Sequence, residues 1–432
     1  LAAGTAYAYT EGLTYPACLV SGLQIEKGRR MMKKSLLRIP YTAEFAPPPV
    51  VPASANTLQG AVTALGEFLT SPLPRRRGFP DRTVVLSGAG LSVASGLADY
   101  RGTNGTYRLN KTYRPIYYHE FLTSHEARKR YWARSFLGWT TLNKAQPNAG
   151  HYAVRDLGRY SNVRNVITQN VDSFHPKAHP DIPTLELHGY LRSLVCTSCH
   201  HEFPRDVFQE DLARLNPAWA AFLAEAIASG ALDTENPDER RARGMRTNPD
   251  GDVDLPDAPY TTFRYPACQH CLATPPPAPD GTRHRVEVDH DGAWASPSTA
   301  GILKPAVIMF GESIPSSVKE AAEQAVDGSG RMLVLATSLA TYSAWRLAKR
   351  AKDRGMPIAI VNMGGVRGEE TFITDLHAGQ SGAEGVRIDM TTERLLPDLV
   401  GALRRSAPEE PAPNDATQMD SRGAGVFKDM LS

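Results

Sequence analysis

Net charge is scarce in this chain. Its 432 residues carry 48 Lys and Arg against 46 Asp and Glu, a formal net charge of +2, which excludes nucleic-acid binding by bulk positive charge. No apolar run approaches the roughly 20 residues that cross a bilayer, so neither a nucleic-acid nor a membrane partner is expected. No internal repeat points to a solenoid. Cysteine is also rare, five residues in all, too few for a disulfide framework in a chain this long. Four of the five form two Cys-x-x-Cys pairs, Cys196/Cys199 and Cys268/Cys271, and Cys18 lies apart near the start. Such pairing reads as a metal site in a reducing compartment.

The most informative run follows an apolar strand, Thr83 to Leu86. It reads Gly88-Ala-Gly-Leu-Ser-Val-Ala-Ser-Gly-Leu-Ala-Asp-Tyr-Arg101 and is expected to open a helix. A strand ending in Gly-x-Gly brings bare backbone N–H groups up to a phosphate. The dehydrogenase fingerprint places a third glycine where Val93 stands, so a dinucleotide site here is of another type. Gln169, Asn170 and Asp172 follow a second apolar strand, Val163 to Thr168, at the end where α/β sheets place ligands. On these residues alone, Asn170 or Asp172 reads equally well as a helix cap. His188, in Glu186-Leu-His-Gly189, is a residue type that titrates near neutrality and accepts a proton from a hydroxyl, although a lone histidine is more often structural. Four thiolates from Cys196, Cys199, Cys268 and Cys271 suit tetrahedral zinc, closed to substrate and hence structural.

Regular alternation frames these motifs. A helix is expected from Thr57, with Leu58, Val62, Leu65 and Leu69 on one face, and another over Ser124 to Gly138. Residues 202 to 303 form an excursion, with Pro, Gly and acidic residues clustered near 232–260 and 274–300 as loops. Strands then follow at Val307–Phe310, Met332–Ala336 and Ile358–Val361. Between them come a Ser317-capped helix, with Val318, Ala321, Ala322 and Ala325 on one side, and a helix over Ser343–Arg354. Strands alternating with helices imply a parallel sheet covered on both faces. The expected division is a leader over 1–50, an α/β domain in two parts over 51–195 and 304–404, a cysteine module over 196–303 and a disordered tail over 405–432. Within the leader, Met31 or Met32 is a candidate start. Lys33, Lys34 and Arg38 alternate there with Leu36, Leu37 and Ile39 ahead of Glu44, the outline of a mitochondrial presequence.

The motifs, in this order, resemble the sirtuins, the NAD-dependent protein deacylases. The family pattern Gly-Ala-Gly-x-Ser-x-x-Ser-Gly-Ile-Pro-Asp-Phe/Tyr-Arg is met at Gly88, Ala89, Gly90, Ser92, Ser95, Gly96, Asp99, Tyr100 and Arg101, and departs at Ala98, where the family has proline. The resemblance implies a Rossmann-like, doubly wound parallel α/β fold with a small inserted zinc-binding module. It implies NAD and zinc as cofactors and acyl-lysine proteins or peptides as substrates. It assigns NAD contacts to Gly88, Ala89, Gly90 and Ser92, the backbone of Ala89 and Gly90 cradling the pyrophosphate with charge from Arg101, and a loop over the cofactor to Asp99, Tyr100 and Arg101. Gln169, Asn170 and Asp172 hold the ribose and nicotinamide, and His188 is the general base, so Asn170, Asp172 and His188 make up the catalytic set. Ala336, Thr337 and Ser338, with Asn362, Met363 and Gly364, match ribose and adenosine contacts, Ala336 replacing the usual glycine. Gly382 and Ala383 are expected under the adenine, and His175 behind the site. The segment Lys304 to Glu312 borders a groove where an extended peptide adds as a strand.

Arg130-Tyr-Trp-Ala-Arg-Ser-Phe-Leu-Gly-Trp139 and Pro249-Asp-Gly-Asp252 resemble the mitochondrial lipoamidase-type branch, sirtuin four, which implies the mitochondrial matrix, with the nucleus or cytoplasm as the alternative. Desuccinylating relatives carry a Tyr-x-x-Arg pair. After Tyr107 the next arginine is Arg108, out of register, so a long or neutral acyl chain is expected. Two other readings stand beside deacylation: a protein mono-ADP-ribosyltransferase using the same NAD site, and a non-catalytic NAD-sensing module.

Overall fold

The computed structural model describes residues 45–73, 78–110, 113–232 and 246–407. The leader before residue 45, Arg75 to Arg77 and the tail after residue 407 lie outside them.

Three short apolar runs, Thr83–Ser87 (β1), Arg331–Leu335 (β9) and Ile358–Val361 (β10), are buried at every position. Such runs fit strands covered on both faces of a parallel sheet. They join Val163–Thr168 (β2), Thr184–Glu186 (β3) and Gly385–Ile388 (β11) in one sheet of order β11-β10-β9-β1-β2-β3, every pair parallel. Side chains alternate across the sheet with period two. Val85, Val166, Leu333, Leu335, Ala359 and Val361 therefore pack with helices Leu58–Thr70, Ala149–Tyr160 and Thr392–Ser406. Val84, Leu86, Ile167, Met332, Val334, Ile358 and Ile360 pack with Ser316–Asp327 and Tyr342–Asp353 on the opposite face. Each fully buried Val, Leu or Ile contributes about 1.5–3 kcal/mol. The chain winds outward from β1 to β2 and β3, then returns to β9 on the other side of β1. The order thus reverses between β1 and β9, and a crevice opens at their carboxyl ends.

A second, antiparallel sheet of order β5-β4-β8 combines Glu202–Pro204 (β5), Gly189–Cys196 (β4) and Leu303–Val307 (β8). Around it a separate core gathers Trp132, Phe136, Phe208, Leu212, Trp219, Phe263, Tyr265 and Trp294 with three of the paired cysteines. A small hairpin pairs Arg246–Thr247 (β6) with Val253–Asp254 (β7).

Several local expectations are corrected. The glycine run does not open an α-helix. It makes a 3-10 turn over Ala89–Ser95, ended by Gly96 at φ +82°. The third strand of the second sheet is Leu303–Val307, not Val307–Phe310, because Met309 N–H is taken by the Glu312 side chain and Gly311 turns the chain at φ +84°. Ser317 caps nothing. Its helix starts at Ser316 after Pro315, and its core-facing residues are Ala322 and Val326, while Ala321 is exposed. Strand β9 begins and ends one residue earlier than expected, which leaves Ala336 just beyond it. The helix capped by Ser124 continues to Lys144. The excursion contains two helices, Arg205–Leu215 and Pro217–Ala228, that the sequence reading did not place. Residues 274–300 are irregular, as expected, but packed: Trp294 is buried, with the Arg128 guanidinium 4.6 Å from its ring centre.

Candidate functional site

The carboxyl ends of β1, β2, β9 and β10 face a cavity of about 2040 Å³. Its wall includes Ala89, Gly90, Ser92, Asp99, Tyr100, Arg101, Gln169, Asn170, Asp172 and His188, and from the returning half Ala336, Thr337, Ser338, Asn362, Met363 and Gly364. Gly88 sits just behind this wall. A Cβ at Gly88 would lie 2.5 Å from the Thr337 side chain, and one at Gly90 would lie 3.0 Å from the Ala336 carbonyl oxygen. Gly90 N–H already donates to that carbonyl at 3.1 Å. The two glycines thus let the loop after β9 close against the loop after β1, besides whatever they offer a phosphate. Ala336 adopts φ +50°, the left-handed region that favours glycine.

Ala383 is not in the cavity wall. Gly382 packs on the 58–70 helix so closely that a Cβ would reach 1.9 Å from the Ala64 carbonyl oxygen, and Gly382 N–H donates to Glu67. Met390 to Glu393 line the cavity from that side instead.

Gln169 ties three strand ends together. Its side-chain amide donates to Ser87 O (3.1 Å) and Thr337 Oγ1 (2.9 Å), and its Oε1 accepts from Thr341 (3.0 Å). Asn170 donates to Gly88 O and Ser92 Oγ, while its own Oδ1 is buried with no hydrogen-bond partner among the described residues. An orphaned buried acceptor costs stability unless a donor fills it, and a ribose hydroxyl is such a donor. Asp172 accepts from Ser92 Oγ at 2.6 Å and from Phe174 N–H at 2.9 Å. It thus closes a local turn just before the short Phe174–Ala178 helix while facing the cavity. Burial raises its pKa against the pull of those two donors.

His188 has a defined tautomer. Its Nδ1 lies 3.1 Å from the Gln169 carbonyl oxygen, which only accepts, so Nδ1 carries the proton. Nε2 then holds a lone pair, 2.8 Å from Ser343 Oγ. Burial pushes the ring down to about 4, opposed by the Gln169 carbonyl, which keeps it neutral at pH 7. Ser343 was missed by the sequence reading; a serine at a helix start carries no signal of its own. Behind the wall, His175 bonds Ser87 Oγ through Nε2 and His179 Nε2 through Nδ1, each at 2.8 Å.

Tyr100 donates to Asp250 at 2.6 Å, joining the loop after the glycine turn to the β6–β7 hairpin. The Tyr-x-x-Arg spacing sought at Tyr107 occurs at Tyr131 and Arg134 on the 125–144 helix, both in the cavity wall.

Away from the cavity, Cys196 Sγ and Cys271 Sγ are 3.5 Å apart and Cys199 Sγ and Cys268 Sγ 3.7 Å, far beyond a disulfide bond. All four sulfurs lie within 4.8 Å of one another. A tetrahedron with Zn–S bonds of about 2.3 Å has edges of about 3.8 Å, so the donor set fits zinc. No position is left for a substrate.

Comparison with known proteins follows this geometry. The Sir2 family model matches residues 88–343. The NAD-dependent protein deacylase SIR4 of Batrachochytrium dendrobatidis is 37% identical over 357 residues, 81% of this chain and 98% of that protein. The NAD-dependent protein deacylase SRT2 of Arabidopsis thaliana is 37% identical over 298 residues, 69% and 70% of the two chains. The NAD-dependent protein lipoamidase sirtuin-4, mitochondrial, of Bos taurus is 30% identical over 331 residues, 76% and 84%.

Proposed function

The chain belongs to the Sir2 family, and from that premise we propose how its own residues carry out NAD-dependent removal of acyl groups from protein lysines. The chain is an NAD-dependent protein deacylase, with NAD and zinc as its cofactors. When bound, NAD supplies a ribose carbon that accepts the acyl oxygen as nicotinamide departs.

The observation that carries the residue assignment is the fixed tautomer of His188. A buried, neutral imidazole with its lone pair on Nε2 and its opposite nitrogen anchored to a carbonyl is prepared to take a proton from a ribose hydroxyl. Ser343 holds that lone pair until a hydroxyl replaces it. The free Oδ1 of Asn170 accepts from the ribose, and Asp172, fixed by Ser92, faces the nicotinamide amide. Asp99, Tyr100 and Arg101 close over the reacting centre and exclude water, which favours acyl transfer over hydrolysis. The four-cysteine zinc site has no open position, so its part is to hold the second sheet beside the cavity.

Mitochondrial placement is the finer part of this reading. It is supported by the sirtuin-4 relative of Bos taurus, which is named mitochondrial.

The test is nicotinamide release from NAD with a panel of acyl-lysine peptides running from acetyl to lipoyl. Release that requires one or more of the acyl peptides supports deacylation. Release independent of acyl peptide, with label from NAD on protein, overturns it in favour of ADP-ribosyl transfer.

A further inference from the structure

Each cysteine pair also carries a histidine. His201 follows Cys199 by two positions, and His270 stands between Cys268 and Cys271. The turns that place the sulfurs place these rings as well. Cys196 N–H donates to the His201 carbonyl oxygen at 3.0 Å, across a bend in which His200 takes φ +59°. His270 lies in the short helix Gln269–Ala273, where the Cys268 sulfur accepts from Cys271 N–H at 3.5 Å. The two turns bring the imidazoles face to face, with ring centres 4.3 Å apart and planes 17° apart. One nitrogen of each ring and Cys199 Sγ lie within 4.8 Å of one another. Both histidines are exposed. Cys199 is the half-buried member of its set, and Cys196, Cys268 and Cys271 are fully buried.

We propose that His201, His270 and Cys199 form an outer landing site for zinc, from which the ion is handed into the four-cysteine centre and through which it leaves. The inference rests on the zinc site and not on the deacylase chemistry. Two imidazoles and a thiolate are ligands of the class that zinc takes. Bonds of about 2.0–2.1 Å to nitrogen and about 2.3 Å to sulfur set tetrahedral donors about 3.3–3.6 Å apart. Exposed rings reach that spacing by turning about χ1 and χ2. Three protein donors leave a fourth position to water, so an ion held there exchanges readily, whereas four thiolates close the inner centre. Cys199 is the sulfur that solvent reaches first, and it belongs to both donor sets. Hand-off is therefore a ligand exchange with no change of oxidation state. Cys199 stays bound as thiolate, the two imidazoles and the water leave, and Cys196, Cys268 and Cys271 bind, each thiol releasing its proton to solvent. Release runs the same exchange backwards. With the inner centre filled, the Cys199 sulfur keeps lone pairs that bridge to a second, weaker ion at the two histidines.

The experiment follows exchange of the bound zinc of the purified full chain with isotopically labelled zinc in solution. It compares wild type, the double variant His201→Ala with His270→Ala, and His377→Ala, an exposed histidine of the α/β domain, as the control. The double variant keeps its zinc and its melting temperature while exchange slows tenfold or more, and His377→Ala exchanges as wild type does. An unchanged or faster rate in the double variant overturns the proposal, as does equal slowing in His377→Ala. Equilibrium dialysis against excess zinc finds one more ion on wild type than on the double variant, and equal numbers overturn the proposal. Wild type alone gives an independent reading, needed if the double variant does not fold. Excess zinc shields His201 and His270 of the zinc-loaded chain from diethyl pyrocarbonate, read by peptide mass, while His377 stays reactive; undiminished labelling of the two overturns the proposal. Zinc content separates the two levels of the argument. A purified chain without zinc brings down the four-cysteine centre and the landing site together; a chain with zinc whose exchange ignores the two histidines brings down only the landing site.

Discussion

His188 Nδ1–H donates a hydrogen bond to the Gln169 carbonyl oxygen at 3.1 Å, joining the loop before β4 to the end of β2. The bond decides which nitrogen faces the cavity, and burial sets the protonation state. Replacing His188 by Ala therefore removes the base without touching the strand ends. Turnover is expected to fall at least a hundredfold, within the range for a positioned acid–base group of about 10²–10⁴, while NAD binding measured by calorimetry persists. Normal turnover in this variant would exclude His188 as the base.

The pH profile follows from the same burial. With its pKa lowered to about 4, His188 is in its base form at every pH above that value. The acidic limb of kcat/KM assigned to this residue is expected near pH 4, well below the unperturbed histidine value of about 6.5. A limb near 6.5 that disappears in His188→Ala would contradict the buried, neutral state.

Stability responds to pH through the same chemistry. Burial lowers the pKa values of His125, His151, His175, His179 and His188. Above about pH 6.5 these rings are neutral in both folded and unfolded chains. As pH falls below that, the unfolded chain takes up protons that the native chain excludes, so stability declines until the folded pKa values are reached. The raised carboxyls Asp99, Asp172 and Asp250 act in the opposite sense, Asp250 from about pH 6 downward, and offset part of this loss. Melting temperature is expected to drop between pH 6.5 and 5, and a flat or rising curve would show that the histidines are accessible to solvent protons.

Much of this arrangement is readable in the residues themselves, and some of it is not. Thr83–Ser87 and Ile358–Val361 announce themselves as strands by near-unbroken apolar runs, and Val163–Thr168 by its β-branched Val166, Ile167 and Thr168. The two cysteine pairs predict their own meeting. The place of Ala383 rests on the resemblance alone, and what its neighbour Gly382 approaches closely is the 58–70 helix. Ser343 and the pairing of Asp252 with Arg134 depend on contacts between residues over a hundred positions apart, which spacing along the chain does not encode. The helices at 205–215 and 217–228 were hidden by the Pro- and acid-rich stretches that follow them.

Ala336 at φ +50° is strained relative to glycine. Ala336→Gly is expected to stabilise the fold by up to about 1 kcal/mol, the strain relief exceeding the added freedom of the unfolded chain. Denaturant titration reads the change, and a loss of stability would mean that the Ala336 methyl contributes more by packing against the glycine turn than the backbone loses.

Gly138 is the seat of the β6–β7 hairpin. Gly138→Ala is expected to destabilise by about 1–3 kcal/mol, as overpacking does. It should also loosen the Tyr100–Asp250 bond, seen as faster backbone amide exchange at 246–254. Unaltered stability and exchange would place the hairpin elsewhere.

Zinc content is expected to be one ion per chain, lost in Cys268→Ser together with a lower melting temperature, since four thiolates close the site. Metal analysis of the purified variant, alongside its melting curve, is the check.

The measurement that bears most directly on the whole account is stoichiometry: nicotinamide released, acyl-lysine consumed and acyl group recovered on ADP-ribose, counted in one reaction with the best acyl peptide. The account predicts equal amounts of all three and none in His188→Ala. Nicotinamide released in excess of lysine deacylated, or ADP-ribose recovered on protein instead of carrying the acyl group, would contradict it.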